Sequence, residues 1–244
     1  MPKLQAYDRD LPYSYAPGIF PATECLRACP DRCLRLLIHS KAEESAGIAR
    51  LAAECEQAGI RVEQADRALE RIARKENCYA AMVFAKREAQ LDANAAHVVL
   101  HHPADGGNVG AILRTCLALG VEQVAILRPA VDIYEPRVVR ASMGAMLRVH
   151  VRHFDDFEAY RAAFRTHALY PFMPAGSLPL AQAASNARRP YALIFGNEAS
   201  GLPEEFVNCG QSVRIPQSDK VDSLNLAAAV AIGVYAFQQG CYGR

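Results

Sequence analysis

Three short segments in the second half of the chain carry the residue types that could do chemistry. The first, 108–115, is a polar, glycine-bearing turn that leads into a helix carrying Arg114. Turns of this kind are common phosphate sites, because the free N–H groups at a helix start point towards the anion. The second segment, 195–203, has glycines where an apolar strand ends, and the third, 215–225, runs from a proline through a polar loop into an apolar helix. Glycine at a strand end lets a backbone approach a ligand closely, so the pattern predicts a loop-built binding site.

In this order and spacing, the three segments resemble the three motifs of the SpoU/TrmH family of RNA ribose 2'-O-methyltransferases, part of the knotted SPOUT superfamily. The resemblance covers residues 97–238 or so. It implies an enzyme that methylates a ribose 2'-hydroxyl in structured RNA, either tRNA or rRNA. It also implies S-adenosyl-L-methionine as the cofactor, a deep trefoil knot in a C-terminal parallel sheet, and a homodimer formed by the C-terminal domain.

The resemblance assigns catalytic roles to polar residues of all three motifs. These residues are Asn108, Arg114, Glu198, Ser223 and Asn225. In the family the arginine and the first asparagine lie at the ribose and phosphate of the RNA, and Glu198 would pair with Arg114. Because a guanidinium stays protonated in proteins, we expect Arg114 to clamp phosphate and stabilise the developing alkoxide instead of acting as a base.

The loops of the last two motifs hold the methyl donor in the family, largely through main-chain groups. The positions that this implies here are Phe195, Gly196, Asn197, Gly201, Ile215, Pro216, Ser223 and Leu224. No metal is expected. Local readings of the same residues stay open: Asn108 and Ser223 could cap helices that start at about Val109 and at Ser223, and Glu198 could be an ordinary carboxylate ahead of a helix.

Composition sets weaker bounds. The chain has 244 residues, with 27 Lys and Arg against 26 Asp and Glu, so RNA must be bound by local basic patches. The apolar run 224–237 is too short to span a bilayer and the N-terminus lacks a signal-peptide core, which predicts a cytoplasmic protein.

Cys25, Cys29 and Cys33 recur at every fourth residue, a spacing that fits neither common zinc sites nor radical iron–sulfur enzymes. We therefore interpret all eight cysteines as structural thiols.

Alternating apolar and amphipathic stretches predict an α/β protein, with a compact α/β unit first and then, in the C-terminal part, a mainly parallel sheet covered on both faces. We predict strands at 34–38, 60–62, 79–84, 97–101, 123–127, 147–151, 168–172, 191–195 and 212–215. The polar, alanine-rich stretch after the third of these is the best linker candidate. The predicted domains are a substrate-binding domain at 1–88, a linker at 89–96 and a methyltransferase domain at 97–244.

The first domain looks like the small α/β ribosomal-protein-like domain that binds substrate RNA in many of these enzymes. Four cations, Arg67, Arg71, Arg74 and Lys75, fall on one face of a predicted helix there. We predict that this basic stripe contacts RNA phosphates, although a merely solvated charged face is the simpler local explanation.

The apolar helix 223–237 is hydrophobic around more of its circumference than one sheet face can cover, which predicts a dimer interface. Two other functions stay as alternatives: a catalytically silent RNA-binding or assembly factor of the same fold, and a dinucleotide-dependent oxidoreductase. The second alternative is weak, because the sequence Gly106–Gly110 does not match the G-x-G-x-x-G fingerprint.

Overall fold

The computed structural model describes residues 4–42, 45–73 and 78–242. The chain divides into two compact units. The first unit comprises residues 1–87 and 132–148, and the second comprises 88–131 and 149–244. The first unit is therefore built from two separate stretches of chain, whereas the sequence suggested contiguous domains and placed 132–148 with the C-terminal one.

Strands and helices alternate along most of the described residues. In chain order they are β1 (Tyr13–Pro17), α1 (Ile19–Ala28), β2 (Cys33–Ile38), α2 (Ala46–Gln57), β3 (Arg61–Gln64), α3 (Asp66–Ala73), β4 (Ala80–Ala85), β5 (His97–His101), α4 (Gly106–Ala118), β6 (Gln123–Leu127), α5 (Pro136–Ala141), β7 (His150–Phe154), α6 (Phe157–Ala163), β8 (Ala168–Pro171), β9 (Leu178–Pro179), α7 (Leu180–Ser185), β10 (Tyr191–Phe195), β11 (Val213–Arg214) and α8 (Leu226–Tyr242).

The first unit is built on a four-stranded sheet in the order β1-β4-β2-β3. Only β2 and β3 are parallel, and β4 runs antiparallel to both of its neighbours. The sequence analysis missed β1, which pairs antiparallel with β4, so the sheet of this unit is mixed, in contrast to the parallel sheet expected of the C-terminal domain. All five residues of β1 and the first five of β4 are buried, so this pair forms the centre of the core.

The stretch 132–148 completes the first unit. Its helix α5 packs on β1, and the Ser14 hydroxyl at the centre of that strand donates a hydrogen bond to the Tyr134 carbonyl. The Tyr7 hydroxyl also donates a hydrogen bond to the Asp132 carboxylate. Further along, Gly144 lies so close to α1 that a Cβ atom on it would fall 2.6 Å from the Cβ of Glu24, which explains why this position has no side chain.

The second unit holds a five-stranded sheet in the order β7-β6-β5-β10-β8, in which every pair is parallel. The strands β6 and β10 are buried along their whole length, as are the first four residues of β5. Continuous apolar strands of this kind need helices on both faces. Helices α4 and α6 lie between strands of this sheet in the chain, and α8 follows the last strand, β11. The prediction of a parallel sheet with strands at 97–101, 123–127 and 191–195 is confirmed for this unit.

Two strand predictions in the second unit need correction. The strand predicted at 147–151 lies at His150–Phe154, because residues 145–147 form a buried 3-10 turn that belongs to the first unit. The segment predicted at 212–215 is a two-residue strand, β11, that pairs with β9 in a small separate sheet and does not join the large one. None of the described helices is long and apolar enough to cross a membrane.

Candidate active site

A cleft of about 780 Å³ opens in the second unit where β8, β10 and β11 end. Its lining comes from three stretches that follow these strands, 172–174, 195–202 and 213–219, together with 221–224 and the start of α8. Ligands of parallel α/β proteins bind outside the carboxyl ends of the strands, and the volume is that of a pocket for a cofactor-sized molecule.

The second-motif loop folds back tightly over Gly196. A Cβ atom on Gly196 would lie 2.1 Å from the carbonyl carbon of Gly201 and 2.3 Å from the Leu202 nitrogen, so no larger residue fits without moving the backbone. The loop is closed by two backbone hydrogen bonds between Asn197 and Gly201, of 3.1 and 2.9 Å. Gly201 has φ +69°, a conformation that favours glycine. The two glycines therefore fix the loop's shape and leave its main chain facing the cleft.

Asn197 holds this loop from inside. Its side-chain oxygen accepts hydrogen bonds from the backbone N–H groups of Ala199 and Ser200, at 2.9 and 3.2 Å. Its side-chain nitrogen donates to the carbonyl of His102 at 2.7 Å, at the end of β5. Although Asn197 lines the cleft, as the sequence predicted for a donor-binding residue, its polar atoms are used to position the loop.

Glu198 clamps the loop that precedes α4. Its carboxylate accepts the backbone N–H groups of Ala104 and Asp105, each at 3.1 Å, and the side-chain amide of Asn108 at 3.2 Å. Partial burial by itself would raise the pKa of Glu198, but these hydrogen bonds outweigh it and hold the pKa below the usual value. Glu198 is therefore an ionised anchor at neutral pH. Its predicted pairing with Arg114 is not among the ion pairs formed by the described residues.

A chain of side-chain hydrogen bonds ties the three motifs together. Asn225 donates its amide to the side-chain oxygen of Asn108 at 3.1 Å, and Asn108 donates in turn to Glu198. The oxygen of Asn225 also accepts from the backbone N–H groups of Ala227 and Ala228 at 2.9 and 3.3 Å. One residue from each motif thus joins a single network.

Both local cap assignments are wrong. Helix α4 begins at Gly106 and is capped by Asp105, whose carboxylate accepts the Asn108 backbone N–H at 2.7 Å. The helix α8 begins at Leu226, and Asn225 is the residue whose side chain caps it, not Ser223. Capping by the neighbouring residues leaves the Asn108 side chain free to reach Glu198.

Arg114 lies on the exposed side of α4 and forms none of the hydrogen bonds of this network. Gly107, Ala111 and Ala118, which fall on the same helix face, are exposed as well. Within the part of the chain that the structure describes, the guanidinium has neither a hydrogen-bond nor an ion-pair partner. The structure therefore brings together four of the five predicted catalytic residues. Glu198 and Ser223 line the cleft, and Asn108 and Asn225 are linked to Glu198 by hydrogen bonds, whereas Arg114 takes no part in this network.

All eight residues predicted to hold the donor line the cleft. Sequence reasoning missed one wall, formed by Phe172, Met173 and Pro174 after β8. The Phe172 ring stacks on that of Phe195 with centroids 4.4 Å apart, and Gly233 of α8 lies against both, since a Cβ there would be 2.8 Å from Phe172. A signal existed, because β8 was predicted as a strand and the residues after a parallel strand belong to the ligand edge.

The cleft fits S-adenosyl-L-methionine in its chemistry. An apolar wall of stacked aromatic rings, a glycine loop with no room for side chains, and the carboxylates of Asp219 and Asp222 line one cavity. Apolar surface, main-chain groups and carboxylates suit, respectively, a purine ring, its polar edge, and hydroxyl or ammonium groups. No group of three or more His, Cys, Asp or Glu side chains among the described residues is placed to hold a metal ion.

The predicted basic stripe belongs to the first unit. Arg67 and Arg71 are exposed on α3, and neither forms an ion pair with another residue in the described ranges. Arg74 and Lys75 lie outside the described residues.

Residues 95–235 match the family model of the SpoU rRNA methylases, which is more than half of the chain. The chain belongs to the SpoU family. The match contains β5 to β11, most of α8 and every residue of the site just described.

Relatives agree with this membership. The chain is 32% identical over 139 residues to an uncharacterized tRNA/rRNA methyltransferase of Synechocystis, an alignment that covers 57% of this chain and 51% of that protein. It is 31% identical over 156 residues to the 23S rRNA (uridine(2479)-2'-O)-methyltransferase of Streptomyces viridochromogenes, covering 60% and 54%. The chain thus spans about half the length of these curated relatives.

A solved structure extends the likeness of fold to nearly the whole chain. The SpoU methyltransferase AviRb of Streptomyces viridochromogenes, in complex with AdoMet, superposes with a TM-score of 0.80, covering 97% of this chain and 95% of that one. The sequence identity is 21%, so the comparison speaks for the fold.

Proposed function

We propose that the protein transfers a methyl group from S-adenosyl-L-methionine to a ribose 2'-hydroxyl of tRNA or rRNA. The observation that carries the proposal is that all eight residues assigned to the donor line a single cleft, with the predicted catalytic residues Glu198 and Ser223. When bound, S-adenosyl-L-methionine supplies an electrophilic methyl group. The named activities of the SpoU relatives, tRNA/rRNA and 23S rRNA methylation, support the same conclusion.

The protein's own residues have two roles in this proposal: some hold the motif loops in place, and Arg114 supplies positive charge. The network Asn225–Asn108–Glu198 holds the three motif loops in one arrangement, so that the donor site is formed in advance. Arg114, which has no internal partner among the described residues, is available for an RNA phosphate and for the negative charge that develops on the 2'-oxygen. The Glu198 carboxylate accepts hydrogen bonds from backbone N–H groups, so it serves as a positioning residue and not as the base.

The donor site can be tested by filling the cleft. Ala229 lines it from α8, and Ala229→Leu adds three carbons there. We expect calorimetry to show at least a tenfold loss of S-adenosyl-L-methionine affinity with an unchanged thermal midpoint. Ala162→Leu, on an exposed position of α6, is the matched control and should bind normally. Equal donor affinity in both variants would place the donor elsewhere.

The reaction itself is tested with RNA from cells that lack the gene. Incubation with methyl-labelled donor should give label in a 2'-O-methylated nucleoside after nuclease digestion. Donor binding without any transfer would favour the catalytically silent RNA-binding factor, and binding of NADH in the cleft would revive the oxidoreductase.

We assign selection of the RNA to the first unit, as its proposed ribosomal-protein-like character suggests. Exposed cations support this: Arg67 and Arg71 on α3 and Arg140 on α5. The described part of this unit exposes four large hydrophobic side chains: Ile19, Phe20, Tyr79 and Met143. Ile19 and Phe20 follow Gly18 in the chain, Tyr79 precedes the residue that is hydrogen-bonded to Gly18, and Met143 precedes Gly144. Exposed aromatic rings and exposed cations suit unpaired bases and phosphates, respectively. Phe20→Ala should raise the KM for RNA and leave donor affinity unchanged.

A homodimer through the C-terminal domain is the proposed assembly. Ala228, Ile232 and Tyr235 fall on one face of α8, where Ile232 is 39% and Tyr235 54% exposed. A second copy of the chain would cover this apolar face. Light scattering should give a dimer for the wild type and a monomer for Ile232→Glu/Tyr235→Glu, and a monomeric wild type at micromolar concentration would contradict the interface.

The trefoil knot is proposed on the same basis, since the relatives' superfamily is knotted and the AviRb fold is closely similar. Joining the two ends of the folded chain by a disulfide would trap a knot. Such a closed chain should stay more compact in denaturant than the same chain joined after unfolding, and equal compactness would refute the knot.

A further inference from the structure

Three thiols of the first unit meet at the end of α1. The Cys25 sulfur lies 3.9 Å from that of Cys29 and 3.7 Å from that of Cys33. Cys25 is on the last turns of α1, Cys29 ends that helix and Cys33 begins β2. Because these cysteines recur at every fourth residue, the Cys25 sulfur contacts the sulfurs of the other two. The three thiols are therefore more than the separate structural thiols that the sequence suggested.

We propose that these thiols form a peroxide-sensitive site in which Cys29 is oxidised and Cys25 closes a disulfide. In cytosolic proteins such disulfides are usually transient and redox-sensing. The proposal concerns the first unit and does not rest on the methyltransferase function.

The backbone geometry permits the bond. The Cys29 N–H donates to the Cys25 carbonyl at 3.0 Å, so the two residues keep helical i, i+4 spacing. In a helix this spacing puts the Cα atoms about 6 Å apart, within the range of disulfides. Cys29 itself has left the helical conformation, with φ −150° and ψ 63°, so its side chain can turn without unwinding α1.

The surroundings distinguish the two thiols. The pKa of Cys29 is lowered by the hydrogen bond with Cys25 and by the positive charges of Arg32 and Arg148, whereas the pKa of Cys25 is raised by its hydrogen bonds to Cys29 and Cys33 and by burial. Cys29 is 6% exposed and Cys25 is fully buried. The thiolate that attacks a peroxide is therefore that of Cys29, and Cys25 is the proton-bearing neighbour.

The chemistry balances with hydrogen peroxide as the only oxidant. The Cys29 thiolate attacks one peroxide oxygen, the O–O bond breaks, and the sulfur becomes a sulfenic acid while the other oxygen leaves and takes up a proton as water. The Cys25 sulfur then attacks the Cys29 sulfur, and the hydroxyl departs with the Cys25 proton as a second water. Cys33, beside Cys25, can afterwards displace Cys29 by thiol–disulfide exchange, with the Cys29 thiolate as leaving group.

The experiment treats the reduced, folded full-length chain with one equivalent of hydrogen peroxide, alkylates the remaining thiols and maps the peptides by mass spectrometry. We expect Cys25 in a disulfide with Cys29 or Cys33, while Cys116, which is fully buried, and Cys209, which stands alone, stay alkylated. Oxidation of Cys209 at the same rate, or Cys25 recovered fully alkylated, would overturn the proposal.

Two variants assign the roles. Cys29→Ala should slow disulfide formation at Cys25 at least tenfold, and the control Cys33→Ala should still give the Cys25–Cys29 disulfide at the wild-type rate. Unslowed oxidation in Cys29→Ala would refute its role. A wild-type chain unfolded in urea serves as a second test that needs no variant: its cysteines should lose this selectivity, and the same product at the same rate would show that the folded geometry contributes nothing.

Discussion

The two units treat their polar side chains in opposite ways. In the second unit, Asn108, Asn225 and Glu198 use their hydrogen-bonding groups on one another and on loop backbone, so the loops around the cleft are held together by the protein's own side chains. In the first unit, Arg67 and Arg71 are exposed and form no ion pair with another described residue, and an aromatic side chain, Phe20, is 51% exposed. The difference fits a division of labour. A preorganised site binds a small cofactor with little ordering cost, whereas exposed cations bind a large polyanion with little desolvation cost.

Arg114 is the exception in the second unit, and it gives the largest expected effect. Because its guanidinium is held by no other described residue, its loss should leave the closed network intact. We expect Arg114→Ala to lower kcat for RNA methylation by a factor of about 100 or more, the typical cost of removing a charge-stabilising group, and to leave donor affinity within about twofold. The control is Arg161→Ala, which removes an exposed arginine of α6. Weakened donor binding in Arg114→Ala would mean that the arginine belongs to the donor site.

Breaking the network itself should affect stability and donor binding together. In the wild type, both carboxylate oxygens of Glu198 accept backbone N–H groups. Glu198→Gln replaces one of these oxygens with an NH₂ group, which cannot accept that hydrogen bond. Leaving such donors unsatisfied costs about 1–3 kcal/mol when they are buried, and solvent access to Glu198 places the expected loss at the lower end. Urea unfolding measures it, with the exposed Glu204→Gln as control. If Glu198→Gln matched Glu204→Gln in both stability and donor affinity, the clamp would have no energetic role.

A buried histidine should make the second unit sensitive to acid. His97 is fully buried, with ring nitrogens 2.9 Å from the Tyr160 hydroxyl and 2.8 Å from the Asp92 carbonyl. Burial lowers the pKa of His97 from 6.5 to about 4. The unfolded chain therefore binds a proton that the folded chain refuses between these values, so stability is full above pH 6.5 and falls as the pH drops towards 4.

From this window we expect His97 to account for a loss of about 2 kcal/mol between pH 7.5 and pH 5. Urea unfolding at both values checks it, and the loss should shrink by that amount in His97→Gln. The exposed His150→Gln should behave as the wild type. A pH dependence unchanged in His97→Gln would assign the acid sensitivity to other groups.

The sequence predicted the second unit better than the first for a physical reason. Its strands β5, β6 and β10 are short apolar runs between turn signals, a pattern that a parallel sheet requires and that 97–101, 123–127 and 191–195 displayed directly. The first unit depends on contacts remote in sequence. Strand β1 is held by α5, about 120 residues away, and no local pattern announces that 132–148 belongs there.

Within the site, residue types were easier to predict than partners. The loop glycines 196 and 201 follow from backbone geometry alone, and the structure gives both a steric reason. The alternative that Asn108 and Ser223 cap their helices is excluded because Asp105 and Asn225 do so, and only the folded loops decide which side chain reaches the free N–H groups. The pairing of Glu198 failed for the same reason, since its partners are backbone groups that no sequence pattern marks.

The smallest expected effect tests the open surface of the first unit. Reversing Arg67 and Arg71 to Glu removes two cations from α3 without touching its buried side, Leu69 and Ile72. We expect the KM for RNA to rise about fivefold to tenfold, with donor affinity and the unfolding midpoint unchanged. If both side chains contact phosphates, the slope of log affinity against log salt should also flatten by about 1.5–2, because each lost contact removes a counterion-release term. The matched control is Arg161→Glu/Arg165→Glu, a double reversal of exposed arginines with the same spacing in the second unit. An RNA affinity and a salt slope equal to the wild type in the α3 variant would make the stripe a solvated face and leave RNA selection to the aromatic residues beside Gly18 or to the second unit.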